Sequence, residues 1–191
     1  TLFPSVGGWK NRTAWDIEVY GKNTYLALQS MPLGKLQNGE LITRHVPPRH
    51  KTVNSICATG DTIVYAGIWN NALYEYDQDV NFKEAYIFDG SDSISSSSDE
   101  IICLEHDNQH RLWCGTKYSG LYLFDLHTKS FLKNINLEPV IQSKINKLYC
   151  DKSNRVWIAT NSGLFVYDPL FNQFSKNLLP VPEGVVPGKV I

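Results

Sequence analysis

The sequence has no run of basic residues, and its aromatic side chains are not interleaved with lysine or arginine. Its 18 basic and 19 acidic residues leave a net charge of −1. That balance removes the electrostatic basis for binding nucleic acid or an anionic membrane surface, since both depend on a concentrated positive field. No stretch approaches the ~20 consecutive apolar residues that a membrane-spanning helix needs. The first residues lack the pattern of a secretory signal, so any segment that exports or anchors the parent protein is expected outside this chain. Apolar residues nowhere recur at helical spacing over a long segment, and Pro, Gly and Asn punctuate the chain throughout, which argues against long amphipathic helices. There are four cysteines, Cys57, Cys103, Cys114 and Cys150. They form no CxxC pair and no zinc-like set with histidine, and no calcium-loop spacing of aspartates occurs, so no metal and no other cofactor is expected. Each cysteine falls in an expected strand, where a free thiol behaves as a small hydrophobe.

What the sequence does have is a repeat, carried on an ordinary globular composition of 42% hydrophobic and 19% charged residues. The segments DTIVYAGIWNNALYEYD, QHRLWCGTKYSGLYLFD and SNRVWIATNSGLFVYD begin at Asp61, Gln109 and Ser153. An aromatic residue recurs at Tyr65, Trp113 and Trp157, and a closing aspartate at Asp77, Asp125 and Asp168. Between them stand Ala72-Leu73, Gly120-Leu121 and Gly163-Leu164. Upstream, an apolar pair recurs as Val53/Ile56, Ile101/Leu104 and Ile145/Leu148. A fainter copy precedes these, with expected strands over Trp15–Tyr20 and Thr24–Leu28.

Each unit reads as short strands of two-residue alternation separated by turn residues. In the clearest copy the expected strands are Ile101–His106, Arg111–Gly115, Gly120–Asp125 and Ser130–Ile135. Four strands in a unit of about 40–50 residues match a propeller blade, and such units bury their faces by stacking. The expected fold is therefore all-β: propeller blades of four antiparallel strands at approximately 13–45, 52–88, 100–135 and 144–178. A partial propeller, a fragment of a larger ring of about seven blades, is expected. Residues 1–8 read as the tail of a preceding blade, Pro180–Gly188 as a connection, and Lys189–Ile191 as the start of another innermost strand. The recurrent Trp and Tyr are expected between adjacent blades, and Asp77, Asp125 and Asp168 are expected to cap turns.

The unit resembles the two-component regulator propeller repeat. Ile101, Leu104, Asp107, Leu112, Trp113, Gly115, Thr116, Gly120, Leu121, Asp125 and Phe131 carry the match in the best copy. Asp151, Val156, Trp157, Thr160, Gly163, Leu164 and Asp168 carry it in the next, where Ala159 replaces the glycine. The copy at Val53–Phe88 departs further, with Tyr65 for Trp and Ile68 for Thr. The resemblance is strong over roughly 52–178 and weak over 1–51. It implies the periplasmic sensor region of a membrane-bound bacterial regulator, often a hybrid histidine kinase responding to glycans. It also implies as partners a glycan or other small molecule, the remaining blades and C-terminal domains of the same protein, and a homodimer. Two other readings stay open: an enzyme on a propeller scaffold, of the streptogramin-lyase type, and a purely structural or dimerising propeller.

With blade strands labelled a to d, the b–c loops and the d-to-a links share one face, and the a–b and c–d turns share the other. The first face varies more, and variable loops on a rigid scaffold are where recognition usually resides. Its b–c loops supply the candidate ligand-binding residues Trp69, Asn70, Asn71, Lys117, Tyr118 and Asn161. These are aromatic faces and amide groups of the kind that hold sugars. The links 89–100 and 136–144 belong to the same face, and the Ser/Asp-rich stretch Ser91–Ser98 reads as a flexible linker, with a lid over the pocket as the alternative. Catalysis finds little support. The five histidines, His45, His50, His106, His110 and His127, are scattered, no GxSxG elbow occurs, and His106 beside Asp107 has no nucleophile near it. The glycosylation sequon Asn11-Arg12-Thr13 reads as incidental.

Overall fold

The computed structural model describes residues 12–44, 52–60, 62–69, 72–87, 100–132 and 144–176. The readings of residues 1–8, the sequon at Asn11, His45, His50, the links over 89–99 and 136–143 and the segment 180–191 lie outside the described residues. Among the described residues every regular element is a strand. The strands form four sheets, each four-stranded, antiparallel and in chain order. The first holds β1 (Ala14–Tyr20), β2 (Asn23–Leu28), β3 (Gly34–Gln37) and β4 (Glu40–Thr43). The second holds β5 (Val53–Ala58), β6 (Ile63–Ile68), β7 (Ala72–Asp77) and β8 (Phe82–Ile87). The third holds β9 (Ile101–His106), β10 (Arg111–Thr116), β11 (Leu121–Asp125) and β12 (Ser130–Phe131). The fourth holds β13 (Ile145–Cys150), β14 (Val156–Thr160), β15 (Gly163–Asp168) and β16 (Gln173–Lys176). Each sheet is a propeller blade, and the all-β expectation holds.

The chain divides into two compact units, Thr1–Leu104 and Glu105–Ile191. In the first unit, blade one meets blade two through a core that includes Tyr25, Ala27, Ile56, Ala58, Val64 and Ala66. The polar part of this contact is a pair of carboxylates on β1. Asp16 Oδ2 accepts the Ile56 N–H at 2.8 Å and Glu18 Oε1 accepts the Ala58 N–H at 3.2 Å. Strand a lies at a sheet edge, so its outward N–H groups need such acceptors when buried. In the second unit the same device recurs: Glu105 Oε1 accepts the Cys150 N–H at 3.2 Å. Here Trp113, fully buried, packs against Tyr167 of the fourth blade with ring centres 4.9 Å apart and planes tilted by 52°, which is the expected place between blades. Tyr65 is likewise fully buried and donates its hydroxyl to Glu75 at 3.1 Å, while Trp157 is only half-buried.

Two sets of aspartates close the turns. Asp77 accepts the N–H groups of Asp79 and Asn81, Asp125 those of His127 and Thr128, and Asp168 that of Leu170. These cap the c–d turns as their recurrence suggested. The second set, Asp107 and Asp151, sits at the a–b turns and does more. Asp107 Oδ2 accepts the Trp113 indole N–H at 2.9 Å and the Arg111 Nε–H at 2.7 Å, while Oδ1 accepts the backbone N–H of Gln109 and Arg111. Asp151 repeats every one of these bonds with Trp157, Arg155 and Ser153. The motif Asp-x-x-x-Arg-x-Trp is thus a latch that ties an a–b turn to the aromatic residue of strand b. His110 and Asn154, one residue before each latch arginine, both take left-handed backbone conformations, with φ of 57° and 61°.

Candidate ligand-binding face

In the second unit the a–b turns of the two blades lie side by side, because Asn154 Oδ1 accepts the Asn108 N–H at 2.9 Å. The b–c loops, at the opposite ends of the same strands, therefore share the other end of the unit. Both are held by one device. Thr116 Oγ1 donates to Gly120 O at 2.9 Å and accepts the Ser119 N–H at 3.0 Å. Thr160 Oγ1 donates to Gly163 O at 2.8 Å and accepts the Ser162 N–H at 3.0 Å. Each buried hydroxyl thereby satisfies both its donor and an acceptor lone pair, which explains the recurrent Thr, while the recurrent Gly takes a positive φ of 81° at Gly120 and 125° at Gly163. The loop tips ride on rigid clips.

On the first clip, the Lys117 ammonium sits 5.1 Å from the centre of the Tyr118 ring, and Tyr118 is 60% exposed. On the second, Asn161 Oδ1 accepts the Asn146 Nδ2–H at 3.0 Å, and the Asn161 N–H donates to Lys144 O at 3.2 Å. An amide pair joined by one bond keeps an N–H₂ donor on one side and a carbonyl acceptor on the other. In the first unit Trp69, 48% exposed, forms a bridge to Glu100, and Glu100 accepts from Asn54 Nδ2 at 3.4 Å. Asn70 and Asn71 lie outside the described residues. The six candidates thus fall in separate units: Trp69 belongs to the first, and Lys117, Tyr118 and Asn161 to the second.

Sequence reasoning missed Asn54 and Asn146. Each stands two residues before the recurrent apolar residue of strand a, Ile56 or Leu148, and each reaches the b–c loop side of its blade. Their recurrence at the same place in strand a is the signal that could have found them. The structure also brings His110 and His127, read as scattered, to 4.4 Å between ring centres, with the Leu126 N–H donating to His110 O. No group of three or more metal-ligating side chains occurs among the described residues. Asp107, considered as an orienting partner for a His106 base, has its carboxylate engaged by Trp113, Arg111 and two backbone N–H groups.

Electrostatics at the a–b end favour structure over reactivity. Burial, then the carboxylates of Glu105, Asp107 and Asp151, push the Cys150 thiol up to about 11, so it is a protonated, weakly nucleophilic group at neutral pH. Burial alone would raise Asp151, but the bonds from Trp157 and Arg155 and two backbone N–H groups bring it down to about 2. Asp77 is likewise held at about 2, burial being outweighed by Asn81, Lys83 and the Asp79 N–H. A carboxylate depressed below its ordinary 3.8 contributes stability above that value and loses it as pH falls through the folded value. Acid titration followed by tryptophan fluorescence should therefore show stability falling between about pH 4 and 2. Asp77→Asn and Asp151→Asn should flatten that fall, and variants that track the wild-type curve would refute the assignment.

No family model matches the chain. It is 36% identical over 128 residues to a histidine kinase, P4, of Formosa agariphila, covering 64% of this chain and 9% of that protein. Among solved structures it is similar to the extracellular domain of a proposed hybrid two component system of B. thetaiotaomicron. That likeness has a TM-score of 0.68 at 14% identity and covers 97% of this chain and 24% of the other. It is also similar to the WD40 β-propeller domain of Doa1, with a TM-score of 0.64 at 13% identity, covering 82% of this chain and 50% of that one. At these identities the solved structures show the fold. The chain spans under a tenth of the curated relative and about a quarter of the two-component neighbour.

Proposed function

We propose that these four blades are part of the periplasmic, ligand-sensing propeller of a membrane-bound two-component regulator, with no catalytic step of their own. The observation that carries the reading is the 36% identity to a histidine kinase over 128 residues, which falls on a chain whose repeat has the two-component pattern. The surfaces that would meet the ligand are the b–c ends of the blades, taken unit by unit. The first unit offers an exposed indole at Trp69, and the second offers a phenol ring at Tyr118 with Lys117 above it and the amide pair of Asn146 and Asn161. Flat aromatic surface next to amide donors and acceptors suits a neutral glycan, whose ring carbons stack and whose hydroxyls both give and take hydrogen bonds. The remaining blades and the output domains would belong to the same polypeptide.

The test is calorimetry of the parent protein's whole extracellular region against a panel of oligosaccharides. One or a few glycans should bind, and Trp69→Ala or Tyr118→Ala should weaken binding about tenfold, roughly 1.4 kcal/mol each. Both side chains are exposed, so stability should be unchanged. A flat response across the panel would overturn the glycan reading, and a parent sequence without kinase or other output motifs would overturn the regulator reading.

A further inference from the structure

His110 and His127 sit on the a–b and c–d turns of blade three, and both are exposed. The fold holds each of them by its backbone. His110 O accepts the Leu126 N–H at 2.9 Å, and the His127 N–H donates to Asp125 Oδ1 at 2.8 Å. Among the described residues, no hydrogen bond or ion pair engages a ring nitrogen of either histidine. Yet the two imidazoles lie with ring centres 4.4 Å apart and planes tilted by 53°. The repeat does not dictate them. His110 stands one residue before the latch arginine, where blade four has Asn154. Asn154 is buried and its Oδ1 holds the neighbouring a–b turn, a packing role that exposed His110 does not take. His127 stands two residues after the capping aspartate, where blades two and four have Asp79 and Leu170.

We propose that His110 and His127 form a site for a divalent transition-metal ion of the zinc type, with both imidazoles as ligands and water in the remaining positions. Neutral imidazole is a preferred ligand of zinc, nickel and copper, whereas magnesium and calcium need oxygen ligands that this pair does not supply. A metal–nitrogen bond of about 2.0–2.1 Å sets two ring centres roughly 5 Å apart on one ion. A small rotation of either exposed side chain reaches that distance, and the hydrogen-bonded turns need not move. Because the turns already hold the rings together, little freedom is lost on binding. The neighbouring cation is neutralised, since Arg111 Nη2 lies 2.7 Å from Asp107 Oδ2, and Asp125 adds a carboxylate to the same turn as His127. No metal-binding spacing marks this pair in the sequence, because its members come from two turns. Arg111 pairs with Asp125 across β10 and β11, and the histidines lie just beyond that end of the ladder.

The site lies at the opposite end of its blade from the Thr116 clip, so it stands or falls apart from the ligand-sensing reading. Calorimetric titration of this chain with Zn²⁺ and Ni²⁺, in a buffer that does not chelate, reads it directly. One ion per chain should bind, and Mg²⁺ should give no heat. His127→Ala and His110→Asn should each weaken binding by about tenfold or more, because the second ring is held at high effective concentration beside the first. Asparagine suits position 110 because Asn154 already takes the matching left-handed backbone conformation, so both variants should unfold in urea as the unaltered chain does. In the unaltered chain, NMR assigned through the backbone should show the His110 and His127 rings shifting together as Zn²⁺ is added, which reads the pair without any substitution. A flat titration would overturn the proposal. So would shifts confined to other histidines, or binding that survives either substitution unchanged, since the ion would then belong to a single histidine or to other groups. An equal response to Mg²⁺ would assign the ion to carboxylates and reject the imidazole pair.

Discussion

Asp107→Ala is expected to destabilise the unit that holds Trp113 by about 3–5 kcal/mol, in the range found when one partner of a buried ion pair is removed. The Asp107 side chain is wholly inaccessible, and its Oδ2 lies 2.7 Å from Arg111 Nη2, a residue whose own side chain is 16% exposed. Deleting the carboxylate strands a guanidinium, the buried indole N–H of Trp113 and two backbone donors at once. The indole N–H cannot turn to water without opening the contact between Trp113 and Tyr167. Arg111 cannot lose its proton to escape the penalty, although its position over the Trp113 and Tyr167 rings, at 5.4 and 5.7 Å, keeps part of its charge stabilised.

The chain carries its own control. Asp151 makes the same bonds to Arg155 and Trp157, but there the arginine side chain is 43% exposed and solvent can replace the lost carboxylate. Asp151→Ala should therefore cost only about 1–2 kcal/mol, the ordinary price of an unmade hydrogen bond near the surface. Urea unfolding followed by tryptophan fluorescence measures both. The transition to read is the one that reports Trp113. Equal losses in the two variants would show that burial does not set the strength of the latch. Arg111→Leu combined with Asp107→Ala should recover part of the deficit, because it removes the stranded charge as well as its partner.

The latch shows which parts of the molecule were legible in the sequence. The strands could be read because turn residues and two-residue alternation are local properties, and the repeat supplied the same evidence several times over. Even the degenerate first copy, where no residue of the Trp-x-Gly-Thr pattern survives, forms a four-stranded sheet from Ala14 to Thr43. Asp107 and Asp151 were visible as motif positions, but their partners were not. Six residues separate Asp107 from Trp113, and only the turn between β9 and β10 brings the indole N–H back to the carboxylate. The carboxylates Asp16, Glu18 and Glu105 were harder still, since their partners lie about 40 residues away on another blade. The b–c loops could be marked as a face by topology, but the Asn146 to Asn161 pairing needed the register of β13 against β14. What repeats was legible, including the place of Trp113 between blades, and the hydrogen bonds that one blade makes to its neighbour were not.

Gly67→Ala tests that neighbour relation where it is tightest. A Cβ at Gly67 would stand 2.4 Å from Ser55 Oγ, 2.5 Å from Ile101 Cγ2 and 2.9 Å from Ile101 Cβ. Ser55 and Ile101 are both fully buried. The serine hydroxyl could rotate aside, but Ile101 Cβ does not move with χ1, and branching there restricts where its Cγ2 can go. The added methyl must push β6 and the start of β9 apart, at a cost of about 1–3 kcal/mol for an overpacked core. Gly34→Ala is the useful contrast. Its Cβ meets only the branched end of Leu41, 2.5 Å away at Cδ1, which can swing clear, so its loss should be smaller. Displacing Ile101 also moves Glu100, whose bridge fixes the backbone of Trp69. Gly67→Ala should therefore weaken glycan binding to the parent protein as well as stability, without touching a residue of the binding face. Unchanged unfolding would mean that the two backbones do not approach this closely. Lost stability with unchanged binding would separate the Ile101 packing from the placement of Trp69, and would direct the search for the ligand to the Tyr118 and Asn161 clips.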